Sequence, residues 1–79
     1  MYSEERLREL YNHKRRYPGT THLLILQNGK GWDGCIYAPN HTYGKTVEDT
    51  IKKLDEAGWK LVEILDLSKP FRRRIPNLL

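Results

Sequence analysis

Tyr43-Gly44-Lys45-Thr46 is the stretch of this chain that comes nearest to a familiar chemistry. A Gly-Lys-Thr run between a strand and a helix is where a phosphate loop grips a nucleoside triphosphate. Leu61-Val62-Glu63-Ile64-Leu65-Asp66 imitates the companion element, an apolar strand ending in a metal-holding Asp. The position of the first loop glycine is Pro39, however, which lacks the flexibility and the N–H that a phosphate cradle requires. The chain is also only about half the size of a typical nucleotidase core. Triphosphate hydrolysis is not expected. A weaker version stays open, in which N–H groups at the helix start, with Gly44, Lys45 and Thr46, hold a phosphorylated ligand or nucleotide without turning it over. An ordinary turn and helix cap is the favoured reading.

Cys35 could act as a nucleophile with His22 or His41 as its base. It lies mid-strand beside Ile36, where a thiol serves as a small hydrophobe, and no neighbour in sequence lowers its pKa. His13, His22, His41 and Cys35 lack zinc-like spacing. Glu48-Asp49 and Asp55-Glu56 read as the solvated outer face of one helix. The expectation is a protein that is not an enzyme, with no catalytic residue, metal or cofactor.

Charge is the more informative feature. Residues 1–67 hold ten Lys/Arg and ten Asp/Glu, so the net charge of +4 resides in Lys69-Pro70-Phe71-Arg72-Arg73-Arg74-Ile75. A fold gains nothing from concentrated like charge, so segregation of this kind marks an interaction element. Arg72, Arg73 and Arg74 present planar forks to carboxylate or phosphate. Lys69 adds a fourth cation, and Phe71 and Ile75 place apolar side chains among them. A solvated tail is the competing reading. A second basic cluster, Lys14-Arg15-Arg16, is a candidate further patch, but cations complementing the dipole at a helix C-terminus are the favoured reading. Trp32, between Gly31 and Asp33-Gly34, is the best candidate for an exposed aromatic anchor. Trp59 and Tyr37 read as core, and no RNA-binding motif accompanies the aromatics.

The elements that must position these residues are legible. Ser3 caps a first helix over residues 4–16, with Leu7, Leu10 and Tyr11 as its apolar stripe. Pro18 and Gly19 end it. His22–Gln27 is a continuous apolar run, the pattern of a strand covered on both faces. Asn28-Gly29-Lys30-Gly31 turns the chain into a second strand, Trp32–Ala38, closed by Pro39. Thr46 caps a second helix with Asp49 in a capping-box position, Val47, Ile51 and Leu54 facing inward, and Gly58 stopping it. Trp59–Leu67 is the third strand. A right-handed return through the second helix makes strands two and three parallel, so the most apolar strand must lie between them. The fold class is therefore α+β, a single small α-β-β-α-β domain. Its three-stranded antiparallel sheet has order 2-1-3, with the helices packed on it.

Across residues 46–66 the run Leu54-Asp55-Glu56-Ala57-Gly58-Trp59-Lys60-Leu61-Val62 resembles a family of small bacterial and phage domains of unknown function. Their hallmark is a helix ending in Gly-Trp-Glu-Leu-Val and running straight into a strand. Lys60 replaces the acidic residue of that hallmark, and the glycine expected near Asp55 is absent. The resemblance implies a microbial or phage origin and no activity.

The organisation expected is a domain over 1–67 and a basic tail over 68–79. No apolar run reaches the roughly 18 residues that span a bilayer, the N-terminus has no signal-like segment, and one cysteine suits a reducing compartment. A cytoplasmic protein is expected, and Asn40-His41-Thr42 is read as a chance glycosylation tripeptide. The expected function is stoichiometric binding, as adaptor or inhibitor, to an acidic protein or protein–nucleic-acid partner. A phage-encoded inhibitor of a host system is the specific version. Direct nucleic-acid binding through the tail, and capture of a small phosphorylated ligand at Gly44, Lys45 and Thr46, are the alternatives. Self-association through Ile75, Leu78 and Leu79 is a further expectation, since a chain of 79 residues buries only about 60–65% of its unfolded surface.

Overall fold

A computed structural model describes residues 2–13 and 19–71 of the protein. The expectations for Lys14, Arg15, Arg16, Arg72, Arg73, Arg74, Ile75, Leu78 and Leu79 lie outside the described residues. The element order is α1 (Glu4–Asn12), β1 (His22–Asn28), β2 (Asp33–Ala38), α2 (Val47–Glu56) and β3 (Trp59–Asp66). The sheet order is β2-β1-β3 with both pairings antiparallel, as the handedness argument requires.

Four consecutive apolar residues on β1 are explained by its position. Leu23 and Ile25 join Leu7, Tyr11, Leu65 and Leu67 under α1. Leu24 and Leu26 join Ala38 and Leu54 under α2. Because successive strand side chains point to opposite faces, a central strand between two helices must be apolar at every position. The helices therefore cover opposite faces of the sheet.

Both helix starts are built by their caps. The Ser3 hydroxyl accepts from Arg6 N at 3.1 Å, and the Thr46 hydroxyl accepts from Asp49 N at 3.1 Å. The end of α1 departs from expectation. The α-helix stops at Asn12, and its last turn carries no base. The His13 N–H is shared among the carbonyls of Glu9, Leu10 and Tyr11, a tightening that ends the i−4 ladder early. Tyr37 fixes this end of the helix, its hydroxyl donating to the Leu10 carbonyl.

Three details were not legible in the periodicity. Trp32 belongs to the hairpin loop and not to β2, because Asn28 Oδ1 accepts from Lys30 N and Trp32 N at 2.9 and 3.0 Å and closes the loop one residue later. The pairing of β1 with β3 slips between Ile25, opposite Glu63, and Leu26, opposite Leu61, leaving Val62 as a bulge. The bulge puts Val62 and Glu63 on the α1 side and returns Ile64 to the α2 side, which accounts for a strand too apolar for simple alternation. Trp59, read as a core residue, has a particular place in the sheet. It lies across β1 on Gly34, where a Cβ would meet the indole at 2.9 Å.

Candidate functional site

The Gly44-Lys45-Thr46 segment forms a capped helix start and no phosphate cradle. Gly44 is buried, and its N–H donates to the Asn40 carbonyl at 2.7 Å, beside Tyr43 N at 2.9 Å on the same oxygen. Its α-carbon packs against α2 so closely that a Cβ would stand 2.6 Å from Asp49 Cβ. The Thr46 hydroxyl is committed to Asp49 N, and Glu48 and Asp49 occupy the first turn. Two carboxylates at a helix N-terminus already satisfy its dipole and repel an anion. Lys45 is exposed to solvent.

Cys35 is half-buried against the α1-side core, next to Tyr2. Burial, and then the hydrogen bond with Cys35, raise the Tyr2 hydroxyl above its usual range. His22 and His41 are not brought to the thiol: His22 pairs across the sheet with Ala38 and Asp66, and His41 sits in the exposed loop before α2. Among the described residues, no three His, Cys, Asp or Glu side chains gather as a metal site.

A polar cluster that sequence reading missed closes the other end of the sheet. Asp66 Oδ1 accepts from Ser68 Oγ at 2.6 Å and Ser68 N at 2.9 Å. Asp66 Oδ2 stands 3.7 Å from Lys69 Nζ and 4.0 Å from His22 Nε2, and Thr21 Oγ1 is 2.7 Å from His22 Nδ1. The hydroxyl, imidazole and carboxylate stand in a line, yet the His–Asp separation exceeds hydrogen-bond length and the carboxylate is spent on Ser68. The cluster is a strand-end cap. Ser68's hydroxyl, then its N–H, hold the Asp66 carboxyl below the ordinary carboxylate range. Since the folded pKa is depressed, Asp66 contributes stability above its unfolded value, and that stability is lost as pH falls through the folded value. Asp66→Ala is expected to cost about 1 kcal/mol at neutral pH. The difference from wild type should shrink to nothing in acid, as read by urea denaturation at several pH values; a constant difference would refute the assignment.

The basic tail is rooted on α1. The Phe71 ring stands edge-on to Tyr11, with centroids 5.7 Å apart at 86°, and the Arg8 guanidinium lies 4.5 Å above the Phe71 centroid. Phe71 is therefore half-buried in its own fold, and Lys69 leans toward Asp66. Of the sequence-predicted partner residues, these two are engaged within the chain. Trp32 is the one that stands out, 67% exposed and held on a hydrogen-bonded loop. Nothing in the sequence marked Arg8, which lies among the mixed charges of Glu4-Glu5-Arg6-Leu7-Arg8-Glu9.

The second feature missed is a groove of about 340 Å³ between α2 and β3. Its floor is Leu26, Ile51, Leu61 and Trp59, and Glu48, Lys52 and Asp55 line the rim. Glu48, Ile51, Lys52 and Asp55 follow the i, i+3, i+4, i+7 stripe of one helix face, a signal that could have found it. A salt bridge of 2.6 Å from Lys60 Nζ to Asp55 Oδ1 ties α2 to β3 at its edge.

Among the described residues, no helix is long and apolar enough to cross a membrane. Compared with protein families, curated proteins and solved structures, the chain shows no match.

Proposed function

We propose that the protein works by stoichiometric binding, as an adaptor or inhibitor, through the basic arm that leaves the domain at Phe71. The partner is an acidic surface on a protein or protein–nucleic-acid complex. Arg72, Arg73 and Arg74 supply the charge-assisted contacts, and Ile75 and Trp32 are the apolar anchors. A phage-encoded inhibitor of a host system is the version that the resemblance at residues 46–66 favours.

The observation that carries this reading is the seating of Phe71 between Tyr11 and Arg8. An arm fixed at its root samples less space, so docking it costs less conformational entropy than docking a free tail. The same seat sets the Arg8 charge next to the start of the arginine run. Phe71 acts as the root of the arm, and the anchoring role passes to residues beyond it.

The test is a titration of full-length protein and a 1–71 truncation with a polyglutamate peptide and with a duplex oligonucleotide. Truncation is expected to weaken polyglutamate binding about tenfold or more, the sum of three charge-assisted pairs at up to about 1 kcal/mol each. Equal affinity of the two proteins would remove the arm from the mechanism. Direct nucleic-acid binding makes a different demand. Four phosphate contacts give a logarithmic salt slope near about −3.6, and holding Lys69 at Asp66 reduces it to about −2.7. Binding whose slope does not change on truncation would not be arm-driven.

A further inference from the structure

We infer that Arg8 is a recognition residue of this protein, a guanidinium fork held on the Phe71 ring to take one carboxylate of the acidic partner. Phe71 is the positioning residue beneath it. The inference rests on the arm being an interaction element and extends its site from the arginine run onto α1.

The fork is fixed and unspent. The Arg8 guanidinium lies over the Phe71 ring, 4.5 Å from its centroid, and that ring stands edge-on to Tyr11. Phe71 packs on the core cluster that contains Leu7, Tyr11 and Leu65, so the platform under Arg8 is part of the fold. A ring attracts a cation through its face and uses none of its N–H donors. Arg8, which is exposed to solvent, therefore keeps the paired donors that match the two oxygens of a carboxylate. Its own helix offers partners that it does not take. Glu5 and Glu4 stand three and four residues before it, the spacing at which helical ion pairs form. Among the described residues Arg8 nonetheless makes no ion pair, whereas Arg6 is bound to Glu9 at 2.9 Å. A long side chain normally gives up rotamer freedom when it binds. The ring has already ordered this one, so capture of an anion costs less.

Charge names the ligand. α1 holds Glu4, Glu5 and Glu9 against Arg6 and Arg8, a net −1. A nucleic-acid duplex carries a charge about every 1.7 Å of its axis and would press further phosphates onto Glu4 and Glu5. A flexible acidic peptide can set one carboxylate in the fork and turn the others toward the arginine run, which follows Phe71 directly in the chain. The ligand of Arg8 is thus a single Asp or Glu side chain of a protein partner.

Calorimetric titration of full-length variants with a polyglutamate peptide tests this, with circular dichroism to check that each variant keeps its fold. Arg8→Ala is expected to weaken binding about fivefold or more. Arg8→Lys keeps the charge without the fork and should lose nearly as much. Arg6→Ala removes the same charge from a side chain already spent on Glu9, and should cost less than about twofold. Phe71→Leu keeps an apolar seat but not the ring. Its loss and that of Arg8→Ala should combine to less than their product, because each removes the same held fork. Equal losses from Arg6→Ala and Arg8→Ala, full recovery in Arg8→Lys, or independent effects of Arg8 and Phe71 would each overturn the inference. An Arg8 effect confined to a duplex oligonucleotide would also overturn it, by assigning the fork to phosphate. Binding that needs the arm but not Arg8 leaves the proposed function standing and removes this inference alone. Binding that needs Arg8 but is unchanged by truncation after Phe71 removes the arm and keeps the fork.

Discussion

Gly44→Ala is expected to destabilise the protein by about 3 kcal/mol, although it adds a single methyl group. The added Cβ would stand 2.6 Å from Asp49 Cβ and 2.9 Å from both Asp49 C and Thr50 N. Two of those three atoms are backbone in the first turn of α2, so no side-chain rotation relieves the clash. Relief requires moving the helix start or the loop, and each move breaks bonds that hold them. Thr50 N and Thr50 Oγ1 both donate to the Thr46 carbonyl, and Gly44 N donates to Asn40. Thr50 is fully buried, so freeing its hydroxyl would leave a polar group without water or partner. Gly29→Ala is the control: nothing lies within 4 Å of its would-be Cβ, and the change should stay within about 0.5 kcal/mol. Urea unfolding of both variants decides the matter. A Gly44→Ala protein as stable as Gly29→Ala would show that the loop does not pack on α2 in this way.

The second large effect is Leu65→Ala, expected to cost about 3 kcal/mol and to lower the melting temperature by roughly 10–20 °C. Leu65 has no exposed surface and packs with Leu7, Tyr11, Leu23, Ile25 and Leu67. The cavity left by truncation would be walled on one side by Leu23 and Ile25 of β1, a strand bonded on both edges that cannot collapse into it. A domain of 79 residues has only about 4–12 kcal/mol of stability, so this one change removes a large share. The same substitution at Val62, on the bulge and half-buried, should cost well under half as much. Thermal denaturation followed by circular dichroism compares the two, and equal losses would contradict the bulge placement.

Much of this fold could be read from residues because local and global preferences agree. The Leu-Leu-Ile-Leu run of β1 is intelligible only with cover on both faces, and chirality then leaves one sheet order. Thr46, Asp49 and Gly58 marked both ends of α2 because caps depend on neighbours in sequence. What escaped depends on contacts between distant residues. The bulge at Val62 changes which side chains share a face without changing composition. The seat of Phe71 needs Arg8 and Tyr11, some sixty residues earlier in the chain, to be in place. The apparent phosphate motif fails for a tertiary reason as well: Gly44 is there for close packing, and its N–H is already spent on Asn40. The two candidate surfaces divide along the same line, since the arm is visible as charge and the groove becomes visible only when β3 stands beside α2.

The position of β1 has a kinetic counterpart. Its amides are bonded within a ladder flanked on either side, and a helix shields each face. Deuterium should enter these N–H groups only when the whole domain opens, whereas the outer strands can fray and exchange locally. Protection factors along His22–Asn28 would then report the global unfolding equilibrium itself, making this one strand a built-in gauge of the stability of the entire molecule.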